Sequence, residues 1–374
     1  KMIRRARMNE LPDGYDPTHW EFKPGGQSGI MVSDLFPNVR ECMDDICVIN
    51  SMTTDKNDHA EATLGLHTGS YTVKRPSLGS WVSYGLGTEN ANLTSFVVIA
   101  PSLPYYGATV WDANFLPGIH TGTRIVPGSE PVSYLNRKLP ADQQLQEFEY
   151  LREFNRLHQN GREETDALAA RIRSFETAFG MQNLMPEITD VSRESDSTLG
   201  LYGLKRGQND GFGWQCLVAR RMAERGVRFI ELIDKGNWDS HSKTHDHEKL
   251  SRNVDQPLAG LLRDLKMRGM LDDTLVVWTT EFGRTPRATG KGRGHHRYVF
   301  SSWLAGGGIK GGTQFGSSDE FGEQVAENPV HVHDLHATIL HQLGFNHERL
   351  TFRHAGRDFR LTDVHGRVVK EILA

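Results

Sequence analysis

Residues Trp214–His241 read WQCLVARRMAERGVRFIELIDKGNWDSH, and the order of patterns inside that stretch decides the fold class. Trp214, Leu217, Val218 and Met222 recur at helical spacing on one face, and Gly226 supplies the stop. A run of alternating and β-branched residues, Val227–Ile233, follows at once and reads as a strand. Its end carries Trp238-Asp239-Ser240-His241, followed by His245, Asp246 and His247.

Working outward, the same alternation repeats. Val254, Leu258, Leu261, Leu262 and Leu265 mark a second amphipathic helix, and Thr274–Trp278 a buried strand. Phe300–Leu304 is the next strand and runs into a glycine-rich loop, and a helix is predicted over 334–343 with Gly344 as its stop. Upstream, Ile46–Ile49 and Phe96–Ile99 are short strands. The segment 140–182 turns charged and helix-prone, with Leu145, Phe148, Leu151 and Phe154 read as one apolar face of a helical excursion. Strands alternating with helices predict an α/β fold, a largely parallel sheet covered on both faces. No internal repeat is visible.

Composition narrows the function classes. The chain has 374 residues, 37% of them hydrophobic and 24% charged, enough for one large globular domain or two modest ones. Lys and Arg total 43 against 47 Asp and Glu, a formal net charge of −4, and no basic block runs through the chain. Nucleic acid and membrane surfaces are therefore not expected partners. No apolar run reaches the ~18 residues of a membrane span. Three cysteines do not make a disulfide framework. Histidine is the unusual count: 17, of which twelve fall between His241 and His365.

In parallel sheets ligands bind beyond the carboxyl ends of strands, so the polar residues just after each strand are the candidates. Asp239 and His241 follow one strand, Glu281 and Arg284 the next, and His295 and His296 the loop after that. Imidazole and carboxylate donors of this kind suit zinc, manganese or iron better than calcium. A guanidinium beside such an ion is placed to grip an anionic ester.

These segments resemble the alkaline-phosphatase superfamily, sulfatases in particular. Asp264–Gly283, DLKMRGMLDDTLVVWTTEFG, is similar to its helix–strand–metal-loop segment. Val332–Gly344 is similar to the later sulfatase helix, and Leu66–Gly69 to the end of the nucleophile segment. More closely, the chain resembles the sulfatase-related domain-of-unknown-function family numbered 1501, abundant in planctomycetes. SMTTD (Ser51–Asp55), GSWVSYGLG (Gly79–Gly87), EFGRTP (Glu281–Pro286), AGGGIKGG (Ala305–Gly312), HVHDLHATILH (His331–His341) and GRDFRLTDVHG (Gly356–Gly366) carry that likeness, which covers nearly all of residues 25–374.

The resemblance implies a three-layer αβα sandwich, residues 1–374 forming a single alkaline-phosphatase-like domain with a helical excursion at about 140–200. It implies one or two divalent ions, zinc or manganese, on Asp239, His241, Glu281, and His295 or His296, with His296 preferred of that pair. Phe282 stands where many members have a second ligand, and Gly294 where the family commonly has Asp. His59 falls at the position of the sulfatase nucleophile and no Cys is there, so formylglycine chemistry is not expected. Thr53, Thr54 and Asp58 lie nearby, and His59, Thr54 and Arg284 are the catalytic candidates. The family's signal peptide and first strand, with its metal-binding Asp, precede the point where this chain starts. Export to the periplasm or beyond is implied. The expected function is metal-dependent hydrolysis of phosphate or sulfate esters, small-molecule or glycan. The competing expectation is a catalytically impaired member that binds anionic glycans, and a phosphomutase-like enzyme ranks third. The sequence leaves the oligomeric state open.

Overall fold

The computed structural model describes residues 13–16, 18–132, 139–159, 166–242 and 245–374. It is a mixed α/β fold. The strand Ile46–Thr53 is the centre of a five-stranded sheet: Phe300–Ala305 pairs with it antiparallel, and Thr313–Phe315 and Val330–His331 pair with it parallel. Val276–Trp278 extends this sheet, antiparallel to Phe300–Ala305. A second sheet of three strands, Thr123–Ile125, Phe96–Ile99 and Phe229–Leu232, is parallel throughout. Its middle strand, Phe-Val-Val-Ile, is buried at every position, the pattern of a strand covered on both faces.

Among the described residues the strands form two principal sheets, of five and three strands, beside four two-stranded ribbons, whereas the alternation along the sequence predicted one largely parallel sheet. The connection explains the antiparallel pairing of Val276–Trp278 with Phe300–Ala305. Between Val276–Trp278 and Phe300–Ala305 the chain makes a hairpin, Gly283–Thr289 with Gly292–His296, and no helix. A parallel return needs a long crossover, usually helical; without one the neighbours run antiparallel.

The helices follow their sequence signals more closely. Gly211–Ala223 buries Trp214, Leu217, Val218 and Met222, and Gly226 turns the chain with φ +81°. Each such side chain contributes roughly 1.5–3 kcal/mol when fully buried. The helix Asp246–Met267 packs against it and extends the predicted Val254–Leu265 pattern at both ends. Between these helices Arg220 is buried and paired with Glu194, Glu224 and Asp264 at 2.7–3.0 Å. The helix predicted over 334–343 runs Val332–Gln342. His331 accepts the His333 N–H, Asp334 accepts the His331 N–H, and Gly344 has φ +84°.

The excursion forms the helices Ala141–Gln159 and Asp166–Thr189, joined through stacked Phe148 and Phe179 (centroids 4.3 Å apart). Leu145, Leu151 and Phe154 are exposed, against the single buried face read from the sequence. Their spacing of three residues drifts by about 60° per step around a 3.6-residue helix, so one of the four faces the partner helix and the others turn away.

Candidate metal centre

The site is assembled from four loops. Ile46–Thr53 leads into the first, which ends at Asp58. The Asp58 carboxylate accepts the N–H groups of Ala60 and Glu61 and so caps the helix His59–Thr68, which makes His59 its first residue. The far end of that helix is fixed from below: His67 donates from Nδ1 to the Thr63 carbonyl (2.7 Å) and from Nε2 to Glu231 (2.9 Å) on the middle of a parallel-sheet strand. Burial alone would push the His67 pKa down, but the Glu231 carboxylate outweighs it and the pKa is raised. A Trp111 N–H donated to Glu231 completes this buried ion pair.

Asp239 lies in the loop after Phe229–Leu232, which is pressed against the hairpin strand Gly292–His296. The approach needs glycine at 292: a β-carbon there would sit 2.4 Å from the His241 carbonyl carbon and the Ser240 oxygen. Asp239 Oδ1 is 2.7 Å from Arg284 Nη2, 2.9 Å from His241 Nε2 and 3.1 Å from His295 Nε2; its Oδ2 is 3.3 Å from His59 Nε2. Burial would raise the carboxyl's pKa; the Arg284 guanidinium beside it outweighs that and holds it well below the usual range.

The outer nitrogens of both histidines are occupied. His59 Nδ1 donates to Glu281 Oε1 at 2.7 Å, and His295 Nδ1 donates to the Asn57 carbonyl at 2.6 Å. Burial opposes ionisation of Glu281, yet the His59, backbone and Thr280 hydrogen bonds keep its pKa lowered. A carboxylate and a carbonyl only accept, so each ring carries its proton on Nδ1 and turns the other nitrogen inward. Among the described residues the buried His59 Nε2 makes no hydrogen bond, and Asp239 Oδ2 faces it at 3.3 Å. Ligand atoms of His59, Asp239 and His295 all lie within 4.8 Å of one another. Two inward imidazole nitrogens, one carboxylate and outer hydrogen bonds that fix the tautomers form a donor set that fits a divalent metal ion.

The sequence candidates separate on this geometry. His59, Asp239, His241, Glu281, Arg284 and His295 come together. Glu281, expected as a ligand, stands behind His59 and orients it. His296, preferred over His295, points the other way: its Nε2 meets the Gly322 carbonyl at 3.1 Å, and burial lowers its pKa. Adjacent residues on a strand face opposite sides, so one of the pair can face Asp239 and the other cannot. The buried Thr54 hydroxyl is engaged by the Tyr71 hydroxyl at 3.1 Å. It lines a separate cavity of about 430 Å³ with Asp55, Arg297, Tyr298 and His331. Arg293 is drawn off to Asp16, donating to its carbonyl at 2.6 Å.

Two wall residues were not legible as such. Phe282, which cannot coordinate, is 4% exposed and stacks on His295 (4.5 Å) and against His59 (4.8 Å). Tyr105 lies face to face on His59, with centroids 4.2 Å apart and planes 13° off parallel. Its place beyond the strand Phe96–Ile99 was the signal available in sequence.

The family model described as "Protein of unknown function (DUF1501)" matches residues 3–373. The chain belongs to this family. No curated protein matches it. Solved structures similar to it include a sulfatase, PsFucS1, from Pseudoalteromonas sp., at 14% identity and a TM-score of 0.40. That match covers 84% of this chain and 63% of the other. A phosphonate monoester hydrolase from Silicibacter pomeroyi matches at 13% and 0.41, covering 90% of this chain and 71% of that one. The third is Ps i-CgsB in complex with k-i-k-neocarrahexaose, at 11% and 0.40, covering 83% and 66%. The chain thus spans about two thirds of the length of these proteins. Among the described residues no helix is long and apolar enough to cross a membrane.

Proposed function

We propose that this family member is a metal-dependent hydrolase of phosphate or sulfate esters. The observation that carries the reading is the convergence of His59 Nε2, His295 Nε2 and the Asp239 carboxylate, with both outer nitrogens tied down. Three protein donors leave a metal position open, the arrangement of catalytic rather than structural sites. Zinc or manganese fits these donors. Bound there, a divalent ion supplies positive charge for the ester's oxygens and lowers the pKa of a bound water.

The chain's own groups supply the rest. Arg284 reaches Asp239 from the hairpin, and its planar guanidinium is placed to hold a nonbridging oxygen of the ester. His241, the most exposed imidazole of the group, stands at the mouth and is placed to give a proton to the leaving oxygen. Phe282 and Tyr105 keep water from the flanks of the two ligand rings. With Thr54 held by Tyr71 and His59 Nε2 turned into the donor set, the attacking group would be water: as its oxygen bonds to phosphorus or sulfur, the bond to the alcohol oxygen breaks, the water's proton passes to solvent and the alcohol oxygen takes the His241 proton. The same reading takes residues 1–374 as one domain of three-layer, alkaline-phosphatase-like plan, acting outside the cytoplasm on small-molecule or glycan esters.

The test is metal content by elemental analysis, followed by hydrolysis of p-nitrophenyl phosphate, p-nitrophenyl phenylphosphonate and p-nitrophenyl sulfate. The expected result is near-stoichiometric metal and turnover of at least one ester, both lost in Asp239→Ala. Turnover retained in Asp239→Ala defeats the assignment. One observation favours a second reading, a binding protein for anionic glycans: the Arg284 guanidinium already pairs with Asp239 at 2.7 Å without an ion. Anion binding with no metal and no turnover would select it.

A further inference from the structure

Tyr105 is unusual for its position. The residue is 61% exposed although one face of its ring is covered by His59 at 4.2 Å. The exposure is not fraying. The next residue, Tyr106, packs on the cluster of Phe96, Val98 and Trp111, its carbonyl accepts the Thr109 hydroxyl, and Gly107 turns the chain with φ +71°. The loop is thus anchored immediately beyond the aromatic it presents. Leu103, 52% exposed, adds apolar surface beside it. Stacked on His59 and otherwise exposed, the ring flanks the site with its outer face open.

An apolar face held rigidly beside an anion-gripping centre recognises a ligand with both features. We propose that Tyr105 is a stacking platform for the organic part of the substrate. The site would then select esters whose alcohol is a ring with a flat apolar face, aryl or pyranose, over short acyclic alcohols. This rests on the hydrolase reading, because the ester group must sit between Arg284 and the ligand cluster for the ring beside it to reach Tyr105. The recognition is by the face of the ring rather than by its hydroxyl. Stacking of this type is worth roughly two- to tenfold in affinity.

The experiment uses stable phosphonates, so it does not depend on turnover. Zinc-loaded wild type, Tyr105→Phe and Tyr105→Ala are titrated calorimetrically with phenylphosphonate and with methylphosphonate, and zinc content is measured in each. Wild type and Tyr105→Phe are expected to prefer phenylphosphonate by about two- to tenfold, Tyr105→Ala to bind the two alike, and all three to hold the same zinc. Equal binding of both phosphonates by wild type overturns the platform and leaves the hydrolase reading standing. A preference retained in Tyr105→Ala, or lost in Tyr105→Phe, also overturns it. Zinc lost from Tyr105→Ala would make the ring a wall of the metal centre and overturn it too. Binding of neither phosphonate removes the anion-holding centre itself, and the platform with it.

Discussion

Removing the Glu281 carboxylate tests the centre most directly, because Glu281 touches no other part of the donor set. It accepts the His59 Nδ1 proton at 2.7 Å and the Thr280 hydroxyl proton at 2.8 Å. In Glu281→Ala the His59 Nδ1–H faces no acceptor in a half-buried setting, an unmade hydrogen bond costing about 1–3 kcal/mol. The ring escapes by moving its proton to Nε2, where Asp239 Oδ2 waits 3.3 Å away. That tautomer cannot ligate. Loss of such an outer partner costs about 10–100-fold in metal affinity, equivalent to about 1.4–2.8 kcal/mol. Glu281→Gln keeps an acceptor oxygen without the charge, and its loss falls near the lower end. The assay is zinc titration of chelator-stripped protein against a chromophoric competitor, with thermal melting to show that each variant is folded. Glu281→Ala binding zinc within about threefold of wild type would refute the orienting role. A loss as complete as that of Asp239→Ala would make Glu281 a ligand instead.

Four further outcomes follow from the geometry. His295→Ala should lose its metal while His296→Ala keeps it, by elemental analysis; the reverse would mean that the hairpin register is wrong. Gly292→Ala should weaken zinc binding although residue 292 bears no donor, because the new methyl group displaces the Ser240–His241 backbone beside Asp239; unchanged affinity would show that the contact is slack. Arg220→Met should lower stability by about 1–3 kcal/mol in urea melts, since Glu194, Glu224 and Asp264 lose their shared cation but keep Arg221 and Arg268. The last concerns pH. Burial, aided by neighbouring imidazoles, pushes His333 down to about 4 and His336 to about 3, and both have a buried Nδ1 with no partner. The unfolded chain takes up these protons near pH ~6.5 and the folded one does not. Stability is therefore full above that pH and falls as pH drops towards 4 and then 3, by up to about 3 and 5 kcal/mol for the two groups. His336→Gln, which can still donate to the Leu66 carbonyl, should flatten the slope of urea-melt stability between pH 6 and 4; an identical slope would clear His336 of the role.

Much of the local structure was legible because it is set by neighbours in sequence. The apolar spacing of Trp214, Leu217, Val218 and Met222, the stops at Gly226 and Gly344, and the strand patterns at 96–99 and 229–232 act within a few residues, and the folded chain obeys them. The same logic put Asp239, Glu281, Arg284 and the His295–His296 pair at strand ends. What neighbours do not determine is direction. The choice between His295 and His296 rests on which face of a hairpin strand meets the Asp239 loop. Whether Glu281 ligates or orients rests on where a helix capped by Asp58 brings His59, some 220 residues away in the chain. Sheet composition belongs to the same class, since the pairing of Val276–Trp278 with Phe300–Ala305 follows from a hairpin in the connection rather than from the strands. Periodicity and capping are short-range and written along the chain; ligand geometry is a sum of long-range contacts, and only the packed structure decides it.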